Sequence, residues 1–373
     1  MEVTKVLRIP TENSRERELI ATLKLLSPGT TLRDGIEYIL QAKTGGLIVV
    51  GDSPEVLELT EDGFGIDCPY LPSRLAELAK MDGAIILSSD MKRIVRANVT
   101  LKVNPSITSN ETGLRHRSAE KFAKETGEIV IAVSRRRNTL TLYTRNQHYL
   151  FRDRPILISG ANQAMLSLTQ YAKTMQHVLA TLNWVELSGT VKLSNVLTAI
   201  QVCERVRRTE HDLNLYRIEL GNEALSLQLI PTELATEIER SLLIIRDYFN
   251  DDTRDVTAVY EDLFGLSVSE LSDMKNIYEA LGYSQNEIGP EEILEPRGYR
   301  ILSQVSRIPI TVVESIIDRF NTLDAIITSD VNALKKVEGV GTVHAKAIKE
   351  SLIEMKTGAT QPRVLTSPIF DSD

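Results

Sequence analysis

Cysteine is nearly absent from this sequence. Cys68 and Cys203 stand far apart and form no metal or redox motif, so a reducing cytoplasm is the expected setting. No apolar run approaches bilayer-spanning length, and the opening MEVTKVLRIPTENSRERE lacks the apolar core of a signal peptide. Neither a membrane partner nor secretion is expected. A Gly-rich loop ending in Lys-Ser/Thr is also missing: TGGLIVVGD has the glycines and the strand but no lysine. A clustered set of metal-binding carboxylates, as hydrolytic nuclease chemistry ordinarily wants, does not appear either.

What is present is ordinary in bulk. The chain is 42% hydrophobic and 25% charged, as in soluble globular proteins, and 373 residues predict two or three domains. The formal charge of -8 is unevenly distributed. Residues 1–114 sum to −3, 115–154 to +6, 155–295 to −12, 296–356 to +2, and 357–373 to −1. A basic island of about forty residues in an acidic protein points to a local anion site, not a general nucleic-acid coat.

Residues 1–150 interleave helical and strand signals. SRERELIATLKLLSPG and TLRDGIEYILQAKTGG read as helices, the second ended by Gly45-Gly46. LIVVGD and GAIILSS read as buried strands, with PSRLAELAKM a short helix between them. SAEKFAKETG is a helix with a glycine stop, and EIVIAVS and TLTLYTR are strands joined by the charged turn RRRN. The expected fold is an α/β domain with a mixed central sheet flanked by helices. Residues 151–295 read as an acidic, all-α connector or oligomerisation spine. GPEEILEPRGYR reads as a hinge, and 296–356 as two helix-turn-helix copies, the second around EGVG, followed by a tail, 357–373. In that second copy the glycines suit a tight turn and bring backbone N–H groups at a helix start close to a phosphate.

Three stretches can carry chemistry. In ETGLRHRSAEKF, Arg115, His116, Arg117 and Ser118 meet the expected start of a helix, where free N–H groups, two guanidiniums and a hydroxyl converge. The bland alternative is a solvated basic helix start that pairs with Glu111, Glu120 or the acidic middle segment. Ser134-Arg135-Arg136-Arg137 follows the next strand, and strand alternation would turn Arg135 and Arg137 the same way. Its alternative is a charged hairpin turn in solvent. Asp82-Gly83 sits where a helix hands over to a buried strand. Asp82 suits a divalent metal or a hydroxyl proton, and Gly83 a close substrate approach, against the alternative of a plain Asp-Gly turn. Together these residues suit phosphoryl or nucleotidyl transfer.

The stretches FGIDCPYLPSRLAELAKMDGAIILSSD, RANVTLKVNPSI, ETGLRHRSAEK, TGEIVIAVSRRRN and EGVGTVHAKAIKESL resemble the DNA-integrity-scanning family of diadenylate cyclases. The likeness spans essentially the whole chain in the same domain order. It implies conversion of two ATP into cyclic di-AMP and two pyrophosphates with Mg²⁺ or Mn²⁺. It also implies a C-terminal helix-hairpin-helix DNA-binding domain that senses branched DNA such as recombination junctions, and an octamer at the nucleoid. By position, Asp82 would bind metal and help activate the ribose 3′-hydroxyl. Gly83, Leu101 and Leu114 would line the nucleotide site. Arg115, His116, Arg117 and Ser118 would hold the triphosphate, with Ser134, Arg135 and Arg137 completing the grip. Gly339, Val340, Gly341, Thr342 and Lys346 would meet DNA. The chain departs from the family at Leu114 and Ser118, where many members have Thr, and at VNPSI, where many have Pro-Asp-Pro. A non-catalytic DNA scaffold and a structure-specific nuclease are the competing readings. The distance of the basic island from the hairpin region weighs against the first, and the missing carboxylate cluster against the second.

Overall fold

Gly46–Val50 (β1) is buried at every position, as a strand covered on both faces must be, and the rest of the N-terminal fold is assembled around it. The chain is described here from a computed structural model covering residues 14–145, 147–221, 232–250, 254–283, 289–305 and 308–358. The helix expected to run on through 222–230, Pro231, Ser306-Arg307 of the upstream turn, and the tail beyond Gly358 lie outside the described residues. The described residues fall into two compact units, one drawn from 15–163 and 213–221, the other from residue 14, 164–212 and 232–358.

In the first unit, helices α1 (Ser14–Leu25) and α2 (Thr31–Ala42) precede β1. Then come α3 (Pro54–Glu58), β2 (Thr60–Glu61), β3 (Phe64–Pro69), α4 (Pro72–Leu78), β4 (Ala84–Leu87) and β5 (Arg93–Leu101). Helix α5 (Leu114–Thr126), β6 (Ile129–Val133), β7 (Leu140–Tyr143) and β8 (His148–Leu150) complete the series. The strands form one mixed sheet in the order β2-β5-β4-β1-β6-β7-β8, with β3 also paired to β5. Strand β1 is parallel to β4 and antiparallel to β6. Alternate side chains feed two cores. Ile48, Ile85, Ile131 and Leu142 meet Leu23, Ile36, Ile39 and Leu75 of α1, α2 and α4. Val49, Ile86, Val130 and Ala132 meet Ala119, Phe122 and Ala123 of α5 on the other face. Each large side chain buried this way contributes roughly 1.5–3 kcal/mol.

The mixed α/β expectation therefore holds, with four strands, β2, β3, β5 and β8, that the apolar pattern did not announce. Two local readings are corrected. Helix α2 is stopped by Lys43, which takes the left-handed C-cap (φ 53), so Gly45-Gly46 does not end it. Strand β6 ends at Val133, and residues 135–137 form a turn, so strand alternation does not govern Arg135 and Arg137.

The region after β8 is helical, with α6 (Arg154–Leu187) and α7 (Leu193–Leu220) the longest elements. Then follow α8 (Thr232–Ser241), α9 (Leu243–Tyr248), α10 (Val256–Gly265), α11 (Val268–Ser272) and α12 (Met274–Ala280). Beyond them lie α13 (Tyr299–Leu302), α14 (Ile310–Phe320), α15 (Leu323–Thr328), α16 (Val331–Leu334) and α17 (Thr342–Gly358). The expected hinge at EPRGYR is pinned. Buried Asp247 accepts N–H bonds from Gly298 (2.7 Å), Tyr299 (2.6 Å) and Arg300 (3.0 Å), and Arg300 pairs with buried Glu186. Three donors on one buried carboxylate fix that backbone far more firmly than its Pro/Gly content suggests. No helix among the described residues is long and apolar enough to cross a membrane.

Candidate active site

Sheet topology puts the candidate residues at one edge. Strands β1 and β4 run in parallel and start there, preceded by Gly45 and by Asp82-Gly83. Strand β6 runs the opposite way and finishes there, since Gly46 pairs with Val133, so Ser134-Arg135 emerges beside Gly45. Strand β5 also ends there, with Val99 opposite Ala84. Strands β4 and β6 flank β1, so the Asp82 and Arg135 strand ends are about 10 Å apart, two strand spacings.

Helix α5 brings the second group. Its N-cap is Gly113, which offers no side chain to bond the free N–H groups, and its first turn carries no acid. The positive helix end is thus left open to an anion. Arg115 extends across to β1: its Nη1 lies 2.5 Å from where a β-carbon on Gly45 would sit, with Val133 O at 3.0 Å and Arg135 N at 3.1 Å from the same point. Gly45 also holds a left-handed φ of +77°. The conformation and the space both demand glycine there.

His116 is half-buried and stacks edge-on against Tyr143, ring centres 6.3 Å apart. Burial holds its imidazole below the usual value, and the charges of Arg115 and Arg137 add to that effect against the pull of Glu111. It is therefore neutral at pH 7. Tyr143, itself 1% exposed, donates its hydroxyl to Glu111 Oε1 at 2.7 Å. Glu111 N donates to Ser109 Oγ at 3.2 Å, and Ser109 Oγ donates to Glu120. Lys124 Nζ reaches Glu120 Oε1 at 2.7 Å and Thr108 O at 3.1 Å. Burial alone would raise Glu120, but Lys124 and Ser109 outweigh it and hold the carboxyl below its ordinary range. This chain of bonds fixes the loop that delivers Arg115 and His116.

The other expected residues divide. Arg117 is turned onto the loop before α5, its Nε donating to Glu111 O at 3.3 Å and its Nη2 to Thr112 O at 3.5 Å. Ser134 Oγ accepts the Arg137 N–H at 3.2 Å and shapes the turn, leaving the Arg135 and Arg137 side chains exposed. Leu114 is 79% exposed at the helix start, whereas Ser118 is half-buried. Leu101 packs into the core on the α5 face. Gly83 N donates to Asn98 Oδ1 at 3.1 Å, and a β-carbon there would lie 2.6 Å from Asn98 Cα. That side of Gly83 is occupied by the protein's own backbone, not left open for a substrate. Asp82 is exposed and makes no hydrogen bond or ion pair among the described residues. No group of three or more His, Cys, Asp or Glu that could hold a metal ion exists among the described residues. A lone free carboxylate beside a cationic pocket fits a hard cation that arrives already coordinated by phosphates.

Two family models and curated relatives match the chain. Residues 33–148 match the family described as DisA bacterial checkpoint controller nucleotide-binding, and residues 151–288 match the DisA bacterial checkpoint controller linker region. The DNA integrity scanning protein DisA of Clostridium tetani is 44% identical over 346 residues, 92% of this chain and 96% of that protein. DisA of Clostridium botulinum (strain Eklund 17B) is 45% identical over 332 residues, 89% and 93% of the two chains. The chain belongs to the DisA family. It is accordingly a diadenylate cyclase, a nucleotidyltransferase. Among solved structures, DacA from Staphylococcus aureus is 18% identical over 38% of this chain and 93% of that one, with a TM-score of 0.29.

Within this DisA-family site, reading the sequence missed Gly45, Asn98, Ser109, Glu111, Glu120 and Tyr143. Gly45 left a trace as one of two adjacent glycines read as a helix stop, and Glu111 and Glu120 as acids that could pair with the basic helix start. The rest act through contacts between residues distant in sequence.

In the C-terminal segment, α16, a turn over 335–341 and α17 follow one another. Gly339 has φ +79°, and Gly341, Thr342 and Lys346 are exposed, while Val340 is 5% exposed and anchors the turn from inside.

Proposed function

We propose that two chains face each other across a two-fold axis and condense two ATP molecules into cyclic di-AMP and two pyrophosphates. Each 3′-hydroxyl attacks the α-phosphate of the opposite ATP. One phosphodiester bond forms and one phosphoanhydride bond breaks per attack, pyrophosphate leaves, and the hydroxyl proton is released. One set of motifs per chain and a symmetric product together require the paired arrangement. The observation that carries the reading is Arg115 laid over Gly45 beside the Arg135 N–H, on the sheet edge that Asp82 also occupies.

In this reading Arg115, the open end of α5 and the exposed Arg135 and Arg137 hold the triphosphate, and His116 offers a neutral N–H donor. Arg117 braces the loop that presents them, and Ser118 supplies a hydroxyl. Leu114 contributes its backbone N–H alone. Asp82 holds Mg²⁺ or Mn²⁺, which when bound supplies charge neutralisation at the phosphates. Asp82 also orients the attacking hydroxyl. Incubation with ATP and Mn²⁺ followed by product analysis tests this. Wild type yields cyclic di-AMP, while Asp82→Asn and Arg115→Ala each lose at least about 100-fold. Unimpeded turnover by isolated monomers defeats the paired arrangement.

The C-terminal segment binds DNA backbone through the exposed amides and side chains at Gly339, Gly341, Thr342 and Lys346, with Val340 as the internal anchor. A net charge of +2 over 296–356 gives one copy loose, sequence-independent binding. Several copies on one oligomer gain through effective concentration on branched DNA, which then modulates the cyclase. A cyclase rate unchanged by saturating junction DNA rejects that modulation.

A further inference from the structure

The helical unit contains a polar cleft of about 280 Å³ that has no part in the chemistry above. Asn183 of α6, Glu237, Arg240 and Ser241 of α8, and Arg300 and Gln304 at α13 line it. Arg300 is 2% exposed, and its head is fixed on several sides. One terminal nitrogen donates to Asn183 Oδ1, the other to Glu186 Oε2, and its backbone N–H donates to Asp247 Oδ2 at 3.0 Å. Its Nε–H, by contrast, is buried and has no acceptor. A donor locked in this way cannot swing out to bulk water, and a single N–H without an acceptor is what one carboxylate or phosphate oxygen completes.

The rest of the lining agrees. Arg240 is exposed and makes no ion pair among the described residues. Glu237 is engaged from the side by Gln176 Nε2 at 3.2 Å. Ser241 donates to Ile238 O at 2.7 Å and is 2% exposed, a hydroxyl at the floor of the cleft. Glu186 matches Arg300 from behind, so the positive charge on the wall that no ion pair among the described residues answers is that of Arg240.

We propose that this cleft binds a small solute bearing an oxyanion, carboxylate or phosphate, held between Arg300 and Arg240, with hydroxyl or amine groups met by Glu237, Ser241 and Gln304. Such a ligand ties together α6, α8 and α13, and α13 opens the C-terminal helices. Its occupancy therefore stiffens the point where those helices leave the helical unit. The inference is independent of the cyclase reading.

Trp184, the single tryptophan of the chain, follows Asn183 directly and serves as the reporter. The full chain is titrated with inorganic phosphate, with citrate, and with potassium chloride as an ionic-strength control, reading tryptophan emission and melting temperature. A saturable emission change with phosphate or citrate, absent with chloride, is expected, and whichever anion acts identifies the ligand class. Arg240→Ala and Gln304→Ala, both on the accessible wall, weaken that response about tenfold without loss of fold. The Arg115→Ala variant retains it, which separates the cleft from the nucleotide site. No saturable change, or one that is the same in Arg240→Ala as in wild type, reduces the cleft to a hydrated gap and overturns the proposal.

Discussion

Arg115 Nη1 occupies the space that a side chain at Gly45 would need. A guanidinium from the start of α5 is thereby seated against the start of β1. Gly45→Ala meets two penalties. A left-handed backbone costs about 1–2 kcal/mol for a residue with a β-carbon, and the added methyl displaces Arg115. Because Val133 O and Arg135 N also crowd that point, the strain does not relax through one flexible side chain. Cyclic di-AMP synthesis is expected to fall about 100-fold, with ATP affinity reduced and the melting temperature lowered by a few degrees. Wild-type turnover by Gly45→Ala would show that Arg115 works from another position.

Tyr143 and Glu111 give a second test, of positioning. Removing the hydroxyl in Tyr143→Phe leaves the Glu111 carboxylate without its buried donor, at a cost of about 1–3 kcal/mol, and loosens the loop that leads into the α5 turn carrying Arg115 and His116. KM for ATP is expected to rise about tenfold with kcat less affected, because in the proposed site the first turn of α5 binds phosphate and does not perform the bond change. Glu111→Gln keeps an acceptor oxygen for the hydroxyl and is expected to lose less. An equal loss in both variants, or a loss confined to kcat, speaks against a positioning role.

These two pairs also show what the sequence could disclose. Buried strands such as Gly46–Val50 and Ala84–Leu87 announce themselves because continuous apolar runs have few alternatives. The basic island was legible because charge is counted without knowing the fold. Strand β5 was not, since RIVRANVTL mixes charge into a strand whose exposure alternates irregularly. Tyr143 was equally silent, and Glu111 and Glu120 were legible only as acids near a basic helix start: only folding brings Tyr143 of β7 against the loop before α5. The supposed hinge misled for the same reason. Pro and Gly describe local freedom, whereas Asp247, about fifty residues away, decides whether that freedom survives.

His116 supplies a prediction in pH. Its folded-state pKa lies below 6.5, so the fold favours the neutral imidazole. The stability this contributes is complete above 6.5 and is lost as pH falls through that value toward the lowered one. A bound triphosphate adds negative charge nearby and reverses the shift, so nucleotide binding below pH 6.5 takes up a proton. NMR titration of the His116 ring should give a midpoint below 6.5 in the free protein and a higher one with a non-hydrolysable ATP analogue. A midpoint that falls on nucleotide addition is incompatible with a phosphate beside this ring.

Asp247 behaves in the opposite sense. Burial, reinforced by the charge of Glu186, outweighs the donors from Gly298, Tyr299 and Arg300 and lifts its carboxyl to about 7. The unfolded chain releases this proton near the ordinary value of 3.8, whereas the native state keeps it until about 7. Across that window the native state binds more protons, so stability falls as pH rises, by a few kcal/mol in total. Above pH 7 the loss is complete and the profile is flat for this group. Asp247→Asn removes the titration but places an amide N–H against the Arg300 N–H, which otherwise donates to Oδ2. The variant is therefore less stable than wild type at every pH, and its slope between pH 5 and pH 7 is shallower. Urea melts of both proteins at several pH values read that slope directly. Parallel profiles for the two would mean that Asp247 stays ionised in the fold, its three N–H donors prevailing over burial.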